Sequence, residues 1–107
     1  GMNEIVNRLT AEFIKALAHP IRVQIIKLLA PGPRCVCDML TELDVAQSNL
    51  SQHLGVLKKQ GIVDSHKEGT KVIYTLRYPS VTAIVETVEK TLGTQITKNK
   101  GLLKHLK

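Results

Sequence analysis

Cys35 and Cys37 are the only thiols in the chain, set one residue apart just after Pro33-Arg34. A bond between them would close a very tight, strained loop, so the sequence predicts reduced thiols in a cytoplasmic protein. They stand at the expected start of a short helix, where the helix dipole and the Arg34 guanidinium both favour the thiolate. Thiolates are soft ligands, suited to arsenite, Cd, Pb, Zn or Cu(I) and not to Mg or Ca. On a regular helix, residues two apart point about 200° apart, so a shared ion would have to deform that first turn. This conflict predicts a switch, with Asp38, a residue of a partner chain or an external thiol as third metal ligand beside Cys35 and Cys37. The same pair could answer to an oxidant or to reactive sulfur with no metal at all. Two inert, small core residues are the plainest alternative.

A second group is the polar run Gln47, Ser48, Asn49, Ser51, Gln52 and His53, threaded by Leu50, Leu54 and Leu57. Amide side chains can grip adenine through its N6 and N7 edges, and hydroxyls can bond to several base edges. The plain alternative is the solvated face of a surface helix. Lys67 and Lys71 flank a glycine-containing loop farther on, and Glu68 lies between them.

The apolar spacing supplies the elements that must hold these groups. Val6, Leu9, Phe13 and Leu17 predict an amphipathic helix over residues 3–18. It stops before Pro20, which suits the first turn of a second helix with Ile21, Ile25, Leu28 and Leu29 inside. Pro31-Gly32-Pro33 breaks that helix. A short helix over 34–43 then buries Val36, Met39, Leu40 and Leu43. Asp44-Val45-Ala46-Gln47 reads as a capping box for a helix that ends at Gly61. Two short helices joined by so brief a turn fit a helix-turn-helix. Residues 62–66 and 72–76 form a hairpin around the loop 67–71. Tyr78-Pro79 opens a last helix with Val81, Ile84, Val85, Val88, Leu92 and Ile96 on one face; Gly93 should bend or stop it.

The fold class is therefore mainly α (α+β), a winged helix-turn-helix of order ααααββα in one domain over residues 2–107. Gly1, ahead of Met2, is set aside as a cleavage scar. Residues 98–107 form a flexible basic tail in this reading, although Leu102, Leu103 and Leu106 extend an apolar pattern into it. The two outer helices each carry an apolar stripe larger than the compact middle can cover. That predicts a two-fold homodimer built on them.

Composition narrows the function further. Net charge is +6 on 107 residues, which suggests a polyanionic partner. The basicity is uneven: residues 45–77 carry net +3, and the four lysines of 98–107 carry +4. With no Trp, one Phe and two Tyr, aromatic stacking platforms for single strands or sugars are excluded. No apolar run approaches the roughly 20 residues of a membrane span, so no membrane partner is expected. A glycine-rich phosphate loop, an HExxH pair and paired carboxylates are all missing, which argues against an enzyme.

Three stretches resemble one family. Residues Ala16-Leu17-Ala18-His19-Pro20-Ile21-Arg22, the Ser48-x-x-Ser51-x-His53-Leu54 helix and the Cys35-Val36-Cys37-Asp38 box occur in the order found in the ArsR/SmtB metal-responsive repressors. The arsenic-sensing branch is the most similar. The resemblance implies a dimeric transcriptional repressor that releases double-stranded DNA, at an inverted-repeat operator, when the cysteines take up arsenite or a thiophilic divalent metal (Cd, Pb, Zn). Its third arsenic cysteine is replaced here by the stretch Met39-Leu40-Thr41, and the zinc branch's last-helix ligands by Glu86 and Glu89. On this reading the DNA-binding residues are Gln47, Ser48, Asn49, Ser51, Gln52, His53, Lys67 and Lys71. His53 would brace the helix or touch a phosphate. With no Arg in the helix, A·T-rich contacted positions are expected. An oxidant-responsive or inducer-independent regulator of the same type is the alternative, and a winged helix that binds only proteins is a more distant one.

Overall fold

The computed structural model describes residues 1–105, apart from the side chains of residues 102 and 103. The apolar pattern expected from Leu102, Leu103 and Leu106, and the charge on Lys107, lie outside the described residues. Helices α1 (Met2–Leu17) and α2 (Pro20–Leu29) lead into strand β1 (Arg34–Cys35) and helices α3 (Val36–Glu42) and α4 (Gln47–Lys59). Strands β2 (Val63–Glu68) and β3 (Lys71–Leu76) precede helix α5 (Ser80–His105). Among the described residues, five helices and an antiparallel sheet ordered β1-β3-β2 make the expected winged helix-turn-helix. Among the described residues no helix is long and apolar enough to cross a membrane.

The sequence order ααααββα misses β1, and this is a correction. Arg34 and Cys35 are extended and pair with Tyr74 and Ile73 of β3. A strand of two residues has no periodicity to betray it. Its consequence is local: α3 starts at Val36 rather than at Arg34, and Cys35 becomes its N-cap.

Capping corrects a second expectation. Asp44 does not cap α4, whose N-cap is Ala46 with no side-chain bond. The turn after α3, closed by Val45 N–H on the Leu43 carbonyl at 3.0 Å, carries the chain two residues past Asp44 before the helix begins. The start of α2 follows the expected rule, with Pro20 in its first turn. His19 caps it by accepting the Ile21 N–H on Nδ1 at 3.1 Å.

α4 ends as the sequence indicates. Gly61 takes φ +76°, its N–H reaches the Lys58 carbonyl at 3.0 Å, and Ile62 N–H reaches that of Leu57 at 2.9 Å. This is the paired-bond ending that requires a left-handed residue, which glycine supplies at least cost. The hairpin is tighter than the loop 67–71 predicts: Glu68 pairs with Lys71, leaving only Gly69 and Thr70 in the turn. Gly69 at φ +62° and Thr70 at negative φ give the sign pattern of a type II′ turn, whose twist matches the strands.

The core sits where α2, α3, α4 and the hairpin meet. Ile25, Ile26 and Leu29 pack against Met39, against Leu50, Leu54 and Leu57, and against Ile62 and Val63. Val81 and Val85 bring the first turns of α5 onto the same cluster. Past that point α5 runs through Gly93, which neither stops nor caps it. Lys98, Lys100 and Lys104 therefore lie within a helix, where a flexible tail was expected.

Candidate nucleic-acid interface and dithiol site

Burial of Leu50, Leu54 and Leu57 at three- and four-residue steps fixes which side of α4 faces out. Gln47, Ser48, Asn49, Ser51 and Gln52 are all exposed there, so the predicted polar set forms one surface. His53 is half-buried on the flank of that surface and does not join it. Its Nδ1 accepts the Arg22 Nε–H at 3.2 Å, while Arg22 also donates to the Ala16 carbonyl at 3.0 Å. The His19 and His53 rings lie 4.3 Å apart between centroids. One guanidinium and two imidazoles thus tie the end of α1, the start of α2 and the middle of α4 together. Sequence reasoning gave His53 a bracing role but found neither partner; the only local signal was that His19 precedes a helix-opening proline.

Burial, then the neighbouring His19 and Arg22, holds the His53 pKa below its ordinary value of 6.5. The group is neutral in the fold, and protonation would remove the acceptor that Arg22 uses. The unfolded chain binds this proton more readily, so the stabilisation is fully present above 6.5 and is lost as pH falls through the lowered folded value. A thermal melt repeated from pH about 7.5 to about 5.5 should show a falling Tm. His53→Gln, which keeps an acceptor without the titration, should lose less over the same range.

The wing presents Lys67 and Lys71, both exposed. Lys67 pairs with Val72 and Lys71 with Glu68, so the two lysines stand on opposite faces of the hairpin. They flank the tip in sequence without forming one patch. Glu68 is directed to His66, whose Nε2 lies 3.0 Å from its carboxylate. Lys58, expected to steady the end of α4, donates to Ser65 Oγ of β2 at 2.6 Å and so ties helix to wing.

The thiol pair departs most from the sequence reading. Cys35 and Cys37 are joined as a disulfide, with Cα atoms 5.2 Å apart, where reduced thiols and no bridge were expected. The physical reason is β1. Cys35 is extended, at φ −76° and ψ 156°, and only Cys37 belongs to the helix. The 200° argument assumed that both were helical; across a strand-to-helix junction the sulfurs converge without deforming α3. Cys35 is 5% exposed and its Sγ accepts the Asp38 N–H at 3.1 Å, whereas Cys37 is exposed. Donor atoms of Cys35, Cys37 and Asp38 all lie within 4.8 Å of one another, but with the two sulfurs bonded to each other only the reduced form could offer them to an ion. Arg34, expected to favour the thiolates, is directed instead to the carboxylates of Asp38 and Glu42, each at 3.7 Å.

These two sites share a groove. A cavity of about 520 Å³ opens between α3, α4 and the wing, lined by Cys37, Leu40, Gln47, Ser51, Thr70, Lys71 and Tyr74 among others. Elsewhere on the surface, Ile5, Val6, Leu9 and Ile14 of α1 and Ile84, Val88, Leu92 and Ile96 of α5 are exposed. A second cavity of about 420 Å³ lies there, lined by Ile14, Leu17, Val23, Ile84, Val88 and Leu92 among others.

Comparison with known proteins agrees with this architecture. Residues 19–65 match the family model described as bacterial regulatory protein, arsR family. The helix-turn-helix-type transcriptional regulator Rv0081 of Mycobacterium tuberculosis is 34% identical over 106 residues, covering 98% of this chain and 93% of the relative. Its crystal structure superposes with a TM-score of 0.79 at 35% identity, covering 88% of this chain and 95% of that one. The transcriptional activator HlyU of Vibrio cholerae is 36% identical over 77 residues (72% and 71% coverage), and its reduced form superposes with a TM-score of 0.75. The homodimeric winged helix-turn-helix DNA-binding domain of Mb0332 from Mycobacterium bovis is 29% identical, with a TM-score of 0.77 over 88% of this chain and 87% of that one. Such relatives are regulators of transcription and not enzymes. A helix-turn-helix with a polar outer face, a wing beside it and an extended match to these regulators have one explanation: the chain belongs to the arsR family of bacterial transcriptional regulators.

Proposed function

We propose that this protein is a homodimeric repressor, one domain over residues 2–107, that releases its operator when Cys35 and Cys37 are chemically captured. Gln47, Ser48, Asn49, Ser51 and Gln52 read base edges, His53 braces their helix from its flank, and Lys67 and Lys71 of the wing meet phosphates. The homodimeric state of the Mb0332 domain and the exposed apolar faces of α1 and α5 support pairing through those helices. Two recognition helices about a two-fold axis call for an inverted repeat with half-sites about 34–36 Å apart.

One observation carries the inducer reading: Cys37 lines the same groove as Gln47, Ser51 and Lys71. Chemistry at the sulfurs therefore takes place at the DNA-facing surface. Two inputs fit. Oxidation removes two electrons and two protons from the dithiol and yields the Cys35–Cys37 bond; the disulfide in this fold favours it. In the reduced chain, arsenite or a thiophilic divalent ion (Cd, Pb, Zn) would take both sulfurs, with Asp38 as third donor.

A gel-shift titration tests both, on duplex from the promoter upstream of the protein's own coding region. Wild type and the Cys35→Ser/Cys37→Ser variant are compared under reductant, an oxidant, arsenite, Cd and Zn. At least one agent should weaken wild-type binding by about 5- to 150-fold, the usual span of such coupling, and leave the double variant unmoved. An equal response from both proteins, or none from wild type, overturns the reading.

A further inference from the structure

We propose that Cys37 is the entry thiol for a small disulfide carrying carboxylates, that Cys35 resolves the adduct, and that the adduct itself blocks the DNA-facing groove. The inference rests on the assignment of α4 and the wing as the DNA surface.

The two sulfurs are not equivalent. Cys35 is 5% exposed, its backbone is paired with Ile73 in the sheet, and its Sγ holds the Asp38 N–H. Cys37 is exposed and opens onto the groove. A reagent arriving from solvent meets Cys37 first. When it does, the Cys37 thiolate attacks one sulfur of the small disulfide RS–SR. A Cys37–S–SR bond forms, the RS–SR bond breaks, and RS⁻ leaves with the electron pair. The Cys35 thiolate then attacks Cys37 Sγ, forming the Cys35–Cys37 bond and expelling the second RS⁻. The small disulfide is the oxidant, gaining the two electrons that the protein dithiol loses. The final bond is the one present in this fold.

The groove suits the R group. Its volume of about 520 Å³ falls in the range of small-molecule sites. Gln47 and Ser51 offer hydrogen bonds on one wall and Lys71 a cation on another. Among the residues that line the groove Lys71 alone is charged; the carboxylates of Asp38, Glu42 and Glu68 lie outside its lining, the first two paired with Arg34. An anionic substituent is therefore favoured over a cationic one. While it sits there, it covers Gln47 and Ser51 and neutralises Lys71, so DNA is excluded by occupancy as well as by any shift of α3.

The test uses oxidised glutathione as the anionic disulfide and cystamine as the cationic one. Reduced Cys35→Ser protein should trap one adduct on Cys37, seen by intact mass spectrometry, and react faster with glutathione disulfide. Lys71→Gln, read only by adduct rate, should shrink that preference. Cys37→Ser, which leaves the buried thiol alone, should be labelled far more slowly. The trapped glutathione adduct should weaken DNA binding by at least about tenfold, within the usual span of coupling, and reductant should restore it. Equal labelling of both single variants, or a preference for cystamine, overturns the inference. If the Cys35–Cys37 bond weakens DNA binding but the trapped adduct does not, occlusion fails and the dithiol reading stands. If the adduct weakens binding while the internal bond does not, occlusion stands and the redox input of that reading fails.

Discussion

Leu54→Ala is expected to lower the free energy of unfolding by about 2–5 kcal/mol, the range for deleting a buried leucine. Leu54 is 1% exposed and packs inside the cluster that joins α2, α3, α4 and the hairpin. Its loss leaves a void bounded by elements that cannot close on it, because α4 is tied at its middle and in its last turn. Arg22 holds His53 on one side, and Lys58 holds Ser65 of the wing on the other. Against a total stability of about 5–15 kcal/mol, one such cavity removes much of what a small domain has. A urea titration read by circular dichroism should show an earlier midpoint with an unchanged slope. Ser51→Ala, on the exposed face of the same helix, should move stability by less than about 0.5 kcal/mol while weakening DNA binding. The contrast between the two variants separates the helix's inner work from its outer work.

Val88→Glu should split the homodimer proposed for this chain. Val88 is 53% exposed in the single chain and lies on the α5 face beside Ile84 and Leu92, across the cleft from Ile14. In a two-fold interface each copy would bury one unpaired carboxylate, and two copies meet the penalty together. A loss of about 3–5 kcal/mol, the usual result of leaving a buried charge uncompensated, amounts to more than a hundredfold in dimer affinity. Sedimentation should show a monomer at concentrations where wild type is a dimer. Operator binding should fall with it, since each half-site alone offers one recognition helix. A variant that remains dimeric, or a monomer that binds as tightly as wild type, removes α5 from the interface.

The readable parts of this chain are those with a period. The spacing of Leu50, Leu54 and Leu57 alone defines the orientation of α4, and hence the outward set Gln47 to Gln52. Prolines and Gly61 marked ends of helices for steric reasons that act on the residue itself. What escaped notice was set by distant partners. β1 exists because Tyr74 and Ile73, some forty residues on, offer it a ladder. The Arg22–His53 bond joins residues 31 apart. Asp44 fits the capping pattern, yet the helix begins later because the preceding turn takes up two more residues. The error over Cys35 and Cys37 followed from the missing strand: one wrong backbone conformation reversed the geometry of the site.

That strand also bears on self-association. β3 is paired on both sides, with β1 along one edge and β2 along the other. The remaining open edge of the hairpin belongs to β2, where Asp64, His66, Lys67 and Glu68 crowd four charged or ionisable side chains into six residues. Charges of this kind discourage a foreign strand from adding to an edge. β3 has no such defence, since Val72, Ile73 and Tyr74 follow its first lysine. Arg34 and Cys35 thus act as a cover strip over an apolar edge, and any reagent that pries Cys35 out of the sheet opens a surface suited to aggregation.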